Sequence, residues 1–226
     1  MPNFSSAAAA GSDPGITGSQ LGTWIALLRG INVGGNNILP MAELRNDLEA
    51  LKLTNVRTYI QSGNVVFDSA ATTPSALAKR IGEQIEEQHG FRPRVLILSR
   101  EDFLAAIETN PFPEAASHPK TLHFFFLAEP AADANMQALD DARSPTEAYK
   151  LTDRVFYLHA PDGIGRSKLA AKVERHLRVV TTARNYRTCA GKGPWGSPMS
   201  PRQSRGCEQG FAARTGTQTS RSRADT

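Results

Sequence analysis

Cysteine is scarce in this chain: two residues in 226, Cys189 and Cys207, both near the C-terminus. Two thiols in a polar segment make neither a disulfide framework nor a metal-ligand spacing, and they read as accidental. The five histidines (His89, His118, His123, His159, His176) form no i,i+4 pair and have no cysteine beside them, so no metal site is expected. No apolar run approaches the roughly 20 residues that a membrane helix needs. The first 22 residues contain no Lys or Arg and only a short alanine run. They lack the basic start and apolar stretch of a secretory signal, so they read as a disordered leader on a cytoplasmic protein.

Excess charge is also missing from most of the chain. The net charge is +4, and residues 189–226 hold six basic and two acidic residues, which accounts for all of it. The rest carries twenty of each sign. The high pI therefore belongs to the tail, where weak non-specific contact with nucleic acid is expected. That tail has no Leu, Ile or Val and is rich in Gly, Ser, Thr, Pro and Arg. It reads as disordered from Cys189 onward. The change at Thr188–Cys189 is abrupt enough to raise a shift of reading frame that removes a C-terminal helix.

Between these ends the hydrophobic pattern is regular. A strand at 24–29 leads to a helix at about 40–52 with Leu44, Leu48 and Leu51 along one face. Strands at 56–60 and 64–67 flank a Gln61–Gly63 turn. Thr73 and Pro74 open a helix to about 88, and a strand at 94–98 closes the set. A short helix capped by Ser99 and a Pro-rich loop follow. The order then returns: a strand at 121–128, a helix from Asp133, strands at 147–151 and 154–159, a helix from about 166, and a weak strand at 178–183. This predicts an α+β protein of two ferredoxin-like subdomains, each a β-α-β-β-α-β plait with an antiparallel sheet. The expected boundaries are 23–99 for the first plait, and 100–188 for a linking helix and loop with the second.

Three polar turns are candidates for function. Gly30–Asn37 lies between a strand and a helix, where backbone N–H groups and a helix N-terminus can converge on an anion. Its glycine spacing matches neither a dinucleotide fingerprint nor a P-loop. Arg29, Asn32, Gly34 and Gly35 are the ligand-binding candidates there. Plait topology places strands one and two parallel, so this loop and the Gln61–Asn64 turn project from the same end of the sheet. Gln61, Ser62 and Asn64 join the candidate set on that ground. No base is implied near Ser62, so it does not read as a nucleophile. The third turn, Gly163–Lys168, sets Arg166, Ser167 and Lys168 at the start of a helix. Its bland reading is a serine N-cap; its sharper reading is an anion clamp, because cations there oppose the helix dipole.

The segments RGINVGGNN, TYIQSGNVVF, NPFP, GIGRSKL and ARNYRT, in this order, closely resemble a widespread bacterial family, the domain of unknown function DUF1697. The resemblance covers about residues 23–188. It implies two plait-like halves, adds Arg184 and Asn185 of the ARNYRT-like motif to the candidate residues, and implies no established activity, substrate or cofactor. Two departures stand out: a leader before Thr23, and a polar tail where the family has a final helix. If that helix covers a sheet face, its loss exposes apolar surface. The resulting expectation is binding of a phosphate-bearing or other anionic small molecule or nucleotide at glycine-rich loops, with no catalytic residue identified. The alternative is a non-catalytic module that binds protein or nucleic acid.

Overall fold

The structure is a computed structural model and describes residues 21–70, 73–191 and 193–195. The first half runs β1 (Gly22–Arg29), α1 (Met41–Ala50), β2 (Thr54–Tyr59), β3 (Asn64–Ser69), α2 (Pro74–His89) and β4 (Arg94–Ser99). The linking helix α3 (Arg100–Glu108) begins where the Ser99 hydroxyl accepts from the Asp102 amide at 3.0 Å. The second half runs β5 (Leu122–Leu127), α4 (Met136–Ala142), β6 (Ala148–Leu151), β7 (Val155–His159), α5 (Lys168–Leu177) and β8 (Thr181–Asn185), and α6 (Tyr186–Ala190) follows. The sheet orders are β2-β3-β1-β4 and β6-β7-β5-β8, with every pairing antiparallel. The two halves thus share the plait topology that the alternation of elements predicts.

Strand composition explains how the halves join. The core strands are apolar on both faces, which requires both faces to be covered. On β1, Ala26 and Leu28 turn toward α1 and α2, which bring Leu44, Leu48, Leu77, Ile81 and Ile85. Ile25 and Leu27 turn the other way, into a cluster shared with Phe124, Phe126 and Tyr157 of the second sheet. Phe125, Leu127, Phe156 and Leu158 face α5 through Leu169, Val173 and Leu177. The result is helices outside, two sheets inside, and one common core between the sheets. The Phe124–Phe126 run is therefore central strand, as its apolarity suggests.

The largest boundary shifts relative to the sequence reading are at α4 and β8. α4 starts at Met136, capped by the Asn135 side chain, three residues after the expected Asp133. The last strand is 181–185 instead of 178–183, because Arg178 takes a left-handed conformation (φ 60°) that ends α5 and delays the strand.

The larger correction concerns the tail. Cys189 is fully buried in α6, and Trp195 is 1% exposed. The Trp195 ring packs edge-on to Tyr59 and Phe103, with centroids 5.1 Å away in each case. Its indole N–H donates to the Cys189 carbonyl at 2.6 Å, and the Trp195 carbonyl accepts from Arg100 Nε at 3.2 Å. A segment with little hydropathy is held in place by one large aromatic ring, and it fills the common core where exposed apolar surface was expected. Residues 1–20 and 196–226, with the remainder of the leader and tail expectations, lie outside the described residues. Among the described residues, no helix is long and apolar enough to cross a membrane. Trp195→Ala should cost about 3–5 kcal/mol of stability, the range for emptying a buried aromatic site. Urea unfolding of the variant at unchanged m-value checks this.

Candidate functional site

The first two candidate turns meet as topology requires. The Asn32 side chain donates to the Gln61 carbonyl and to the Leu39 carbonyl, both at 3.0 Å, while its oxygen accepts from the Leu39 amide at 2.8 Å. The Leu28 amide donates to the Gly63 carbonyl at 2.8 Å. Gly63 has φ 69°, and a Cβ there would stand 2.7 Å from Leu28 Cβ and 2.8 Å from Ile31 Cδ1, so only glycine fits. At the tip of the first loop, Val33 and Asn36 form a bridge around Gly34 and Gly35, both at positive φ, as in a two-residue hairpin turn. The Asn37 side chain donates to the Gly30 carbonyl at 2.7 Å.

These contacts decide what the loops can do. The Asn32 and Asn37 side chains, candidate donors to an oxyanion, are turned onto the protein's own backbone. Asn64 is fully buried and donates to the Tyr59 carbonyl (3.2 Å) and to the Ser62 hydroxyl (2.8 Å). Beside the exposed Asn36, Asn37 and Gln61, this edge also presents apolar groups: Val33 and Ile38 are each 67% exposed and Ile60 is 50% exposed. All three adjoin residues that Asn32 ties together. Ile60 holds φ 50°, a conformation that a β-branched residue rarely adopts. The edge is a rigid platform with apolar tips.

Arg184 joins this platform to the second half. On β8 it lies opposite Phe124, so its side chain emerges on the face toward the first sheet. Its Nε donates to Asn64 Oδ1 at 2.5 Å, and its Nη2 donates to the carbonyls of Leu28 (2.7 Å) and Ser62 (3.0 Å). Nη1 returns to its neighbour's carbonyl, that of Ala183, at 2.9 Å. Among the described residues, no carboxylate pairs with it. Burial pulls the guanidinium down to about 10, so it is charged at neutral pH and neutralised only by carbonyl dipoles. The same burial pushes the Cys189 thiol up to about 12, which makes it unreactive at neutral pH. Asn185 caps α6, accepting from the Thr188 amide at 2.8 Å and the Thr188 hydroxyl at 2.9 Å.

Arg29 is likewise engaged across the junction. It pairs with Glu174 of α5 and donates to the Thr181 carbonyl at 3.1 Å. Arg94 stands directly opposite Arg29 on β4 and donates to the other Glu174 oxygen at 2.6 Å. Burial alone would raise the Glu174 carboxyl, but the two guanidiniums outweigh it and hold the group below its ordinary value.

The third turn stands apart. Ser167 is the N-cap of α5, its hydroxyl accepting from the Ala170 amide at 2.9 Å, as the bland reading expects. Arg166, Ser167 and Lys168 line a cleft of about 490 Å³ with Arg143, Ser144, Glu147 and Asp162, all from the second half. No residue of the first two turns reaches it. The twelve candidate residues therefore fall into two places: the junction, and this cleft. Sequence reasoning missed Arg143, Arg94 and Glu174. None of the three carried a sequence signal: Glu174, next to Val173 on α5 and off the buried face of Val173 and Leu177, has the pattern of a solvated carboxylate. Among the described residues, no group of three or more His, Cys, Asp or Glu side chains is gathered to hold a metal.

Two outcomes follow. Arg184→Met leaves three acceptors of the first half without their donor and should cost on the order of 2–4 kcal/mol. Arg184→Lys should not restore it, since an ammonium group cannot span Asn64, Leu28 and Ser62 at once; the denaturant midpoints of both variants check this. His123 on β5 is 6% exposed, and its Nδ1 is buried with no partner. Burial lowers its pKa below the ordinary 6.5, against an opposing hydrogen bond to the Thr121 backbone. The unfolded chain therefore binds the proton first as pH falls, so stability is complete above pH 6.5 and declines toward the folded pKa. His123→Phe should flatten that decline when urea midpoints are compared at about pH 7.5 and about pH 5.5.

Comparison with known proteins agrees with the architecture. No curated protein matches the chain. Among solved structures, the conserved bacterial protein SP0830 from Streptococcus pneumoniae is 26% identical, with a TM-score of 0.57 over 76% of this chain and 96% of that one. The model of the family described as "Protein of unknown function (DUF1697)" matches residues 21–157, from β1 into β7. The chain belongs to the DUF1697 family.

Proposed function

We propose that this protein binds a small phosphate-bearing molecule or nucleotide in the cleft before α5. The carrying observation is that Arg166 and Lys168 line that cleft with no hydrogen bond or ion pair through their side chains among the described residues, although acids stand beside them. Those acids are occupied: Glu147 accepts from the Ser144 amide (2.9 Å), Asp162 from Thr146 (2.6 Å) and Asp141 from Gln137 (2.9 Å). Two cations left without partners at a helix N-terminus carry a local electrostatic cost, and an anionic ligand would offset it. A volume of about 490 Å³ suits a small phosphorylated molecule. No group in the cleft is placed as a general base, so the reading is binding, without an assigned reaction.

A second reading has its own observation, the exposed Val33, Ile38 and Ile60 on backbone fixed by Asn32 and Asn64. Apolar side chains on a preorganised edge suit a protein partner. A thermal-shift screen of phosphorylated metabolites and nucleotides against the full chain separates the two. A ligand at about 100 times its Kd should add about 2.7 kcal/mol of stability. That gain should vanish in Arg166→Ala/Lys168→Ala. A gain that persists in the double variant removes the cleft assignment. No gain from any small anion, with a co-purifying protein lost on Val33→Asp, establishes the second reading instead.

A further inference from the structure

The geometry points to a second anion site: we infer that an open groove at the junction of the halves, ringed by Arg29, Arg94, Arg175 and Arg178, binds a compact oligophosphate. It lies at the opposite end of α5 from the cleft, about 15 Å away along the ten-residue helix, and does not depend on that proposal. The groove measures about 550 Å³ and contains one acid, Glu174, among four guanidiniums. In a body with equal numbers of each sign, this is a local concentration of positive charge.

Each arginine has donors to give. Arg29 and Arg94 make their contacts through Nη1, so Nε and Nη2 of each have no hydrogen-bond partner among the described residues. Arg175 and Arg178 are exposed and make no side-chain hydrogen bond or ion pair among the described residues. A guanidinium presents a planar fork that matches two phosphoryl oxygens. Glu174 already shows the arrangement in miniature: its two oxygens divide between Arg29 and Arg94.

Glu174 offsets part of the positive charge gathered here, and an excess remains. Like charges directly opposite on neighbouring strands are unfavourable, yet Arg29 and Arg94 share that register. Complementing the helix dipole would explain basic residues in the last turn of α5. It would not explain why Arg178 occupies the left-handed position (φ 60°) that usually goes to glycine. Arg178 is exposed there and lines the groove. Ala171, Val179 and Val180 complete the lining, and no aromatic ring is available to stack a base. That favours phosphoryl groups over nucleobases.

Calorimetric titration of the full-length chain with tripolyphosphate tests this. A binding event should weaken at least about tenfold in Arg175→Ala/Arg178→Gly, the loss expected from removing two charge-assisted contacts. The same event should survive Arg166→Ala/Lys168→Ala, whose effect is confined to the cleft. Arg178→Gly alone should keep or raise the melting temperature while weakening binding, a split that a helix-stabilising role would reverse. A titration with a single-stranded oligonucleotide identifies the source: equal loss in the groove variant extends the site to phosphodiester chains, and loss for tripolyphosphate alone confines it to compact ligands. Absence of binding, or binding unchanged in Arg175→Ala/Arg178→Gly, overturns the inference.

Discussion

The junction between the halves depends on the Arg184 guanidinium. It is a buried cation with no carboxylate beside it, held by Asn64 and by the carbonyls of Leu28 and Ser62. A charge in such a place is tolerable only if each of its donors finds an oriented acceptor. That requirement reaches outward. Asn64 must be buried and fixed, so it is tied to Tyr59 and Ser62. The Ser62 carbonyl must point at β8, so Gly63 must turn at φ 69° against Leu28. The strained turn that resembles a ligand loop is thus the socket for an arginine from the other half.

The apolar part of the junction works with this socket. Each sheet has helices on its outer face and would leave its inner face open if it stood alone. Stacking the two sheets buries both inner faces, and α3, α6 and Trp195 fill what the sheets leave. Hydrophobic burial supplies most of the attraction but little direction. Direction comes from Arg184 on one side and from the Arg29–Glu174–Arg94 bridge on the other. A lateral slip would break both at once.

What could be read from the chain depended on the range of the contacts. Alternating apolar residues and helix caps are local, so the β-α-β-β-α-β order was legible in each half, and the order alone placed Gly30–Asn37 beside Gln61–Asn64. Ser99 and Ser167 were legible as caps for the same reason. Arg184 was legible only as part of a motif, since its partner Asn64 lies 120 residues away. Trp195 was illegible because a polar segment gives no periodicity, and one ring against Tyr59 and Phe103 was enough to hold it. Glu174 was hidden because a carboxylate on an amphipathic helix has the same pattern whether it faces water or two arginines.

The family-like motifs thereby change their meaning. RGINVGGNN, YIQSGN and ARNYRT contain Arg29, Asn32, Gly63, Asn64 and Arg184, and these residues are engaged within the fold: Arg184 with Asn64, Asn32 with Leu39 and Gln61, Gly63 with Leu28, and Arg29 with Glu174. In two of the three glycine-rich turns the side chains of Asn32, Asn37 and Asn64 are consumed by the fold. A ligand competing for them would have to replace contacts that hold the halves together. Donors that cost nothing to recruit lie elsewhere: on Arg166 and Lys168 at the start of α5, and on Arg175 and Arg178 at its end. Both pairs sit on the helix whose Glu174 anchors the junction. An anion bound at either end of α5 therefore acts on the element that sets how the two plaits meet.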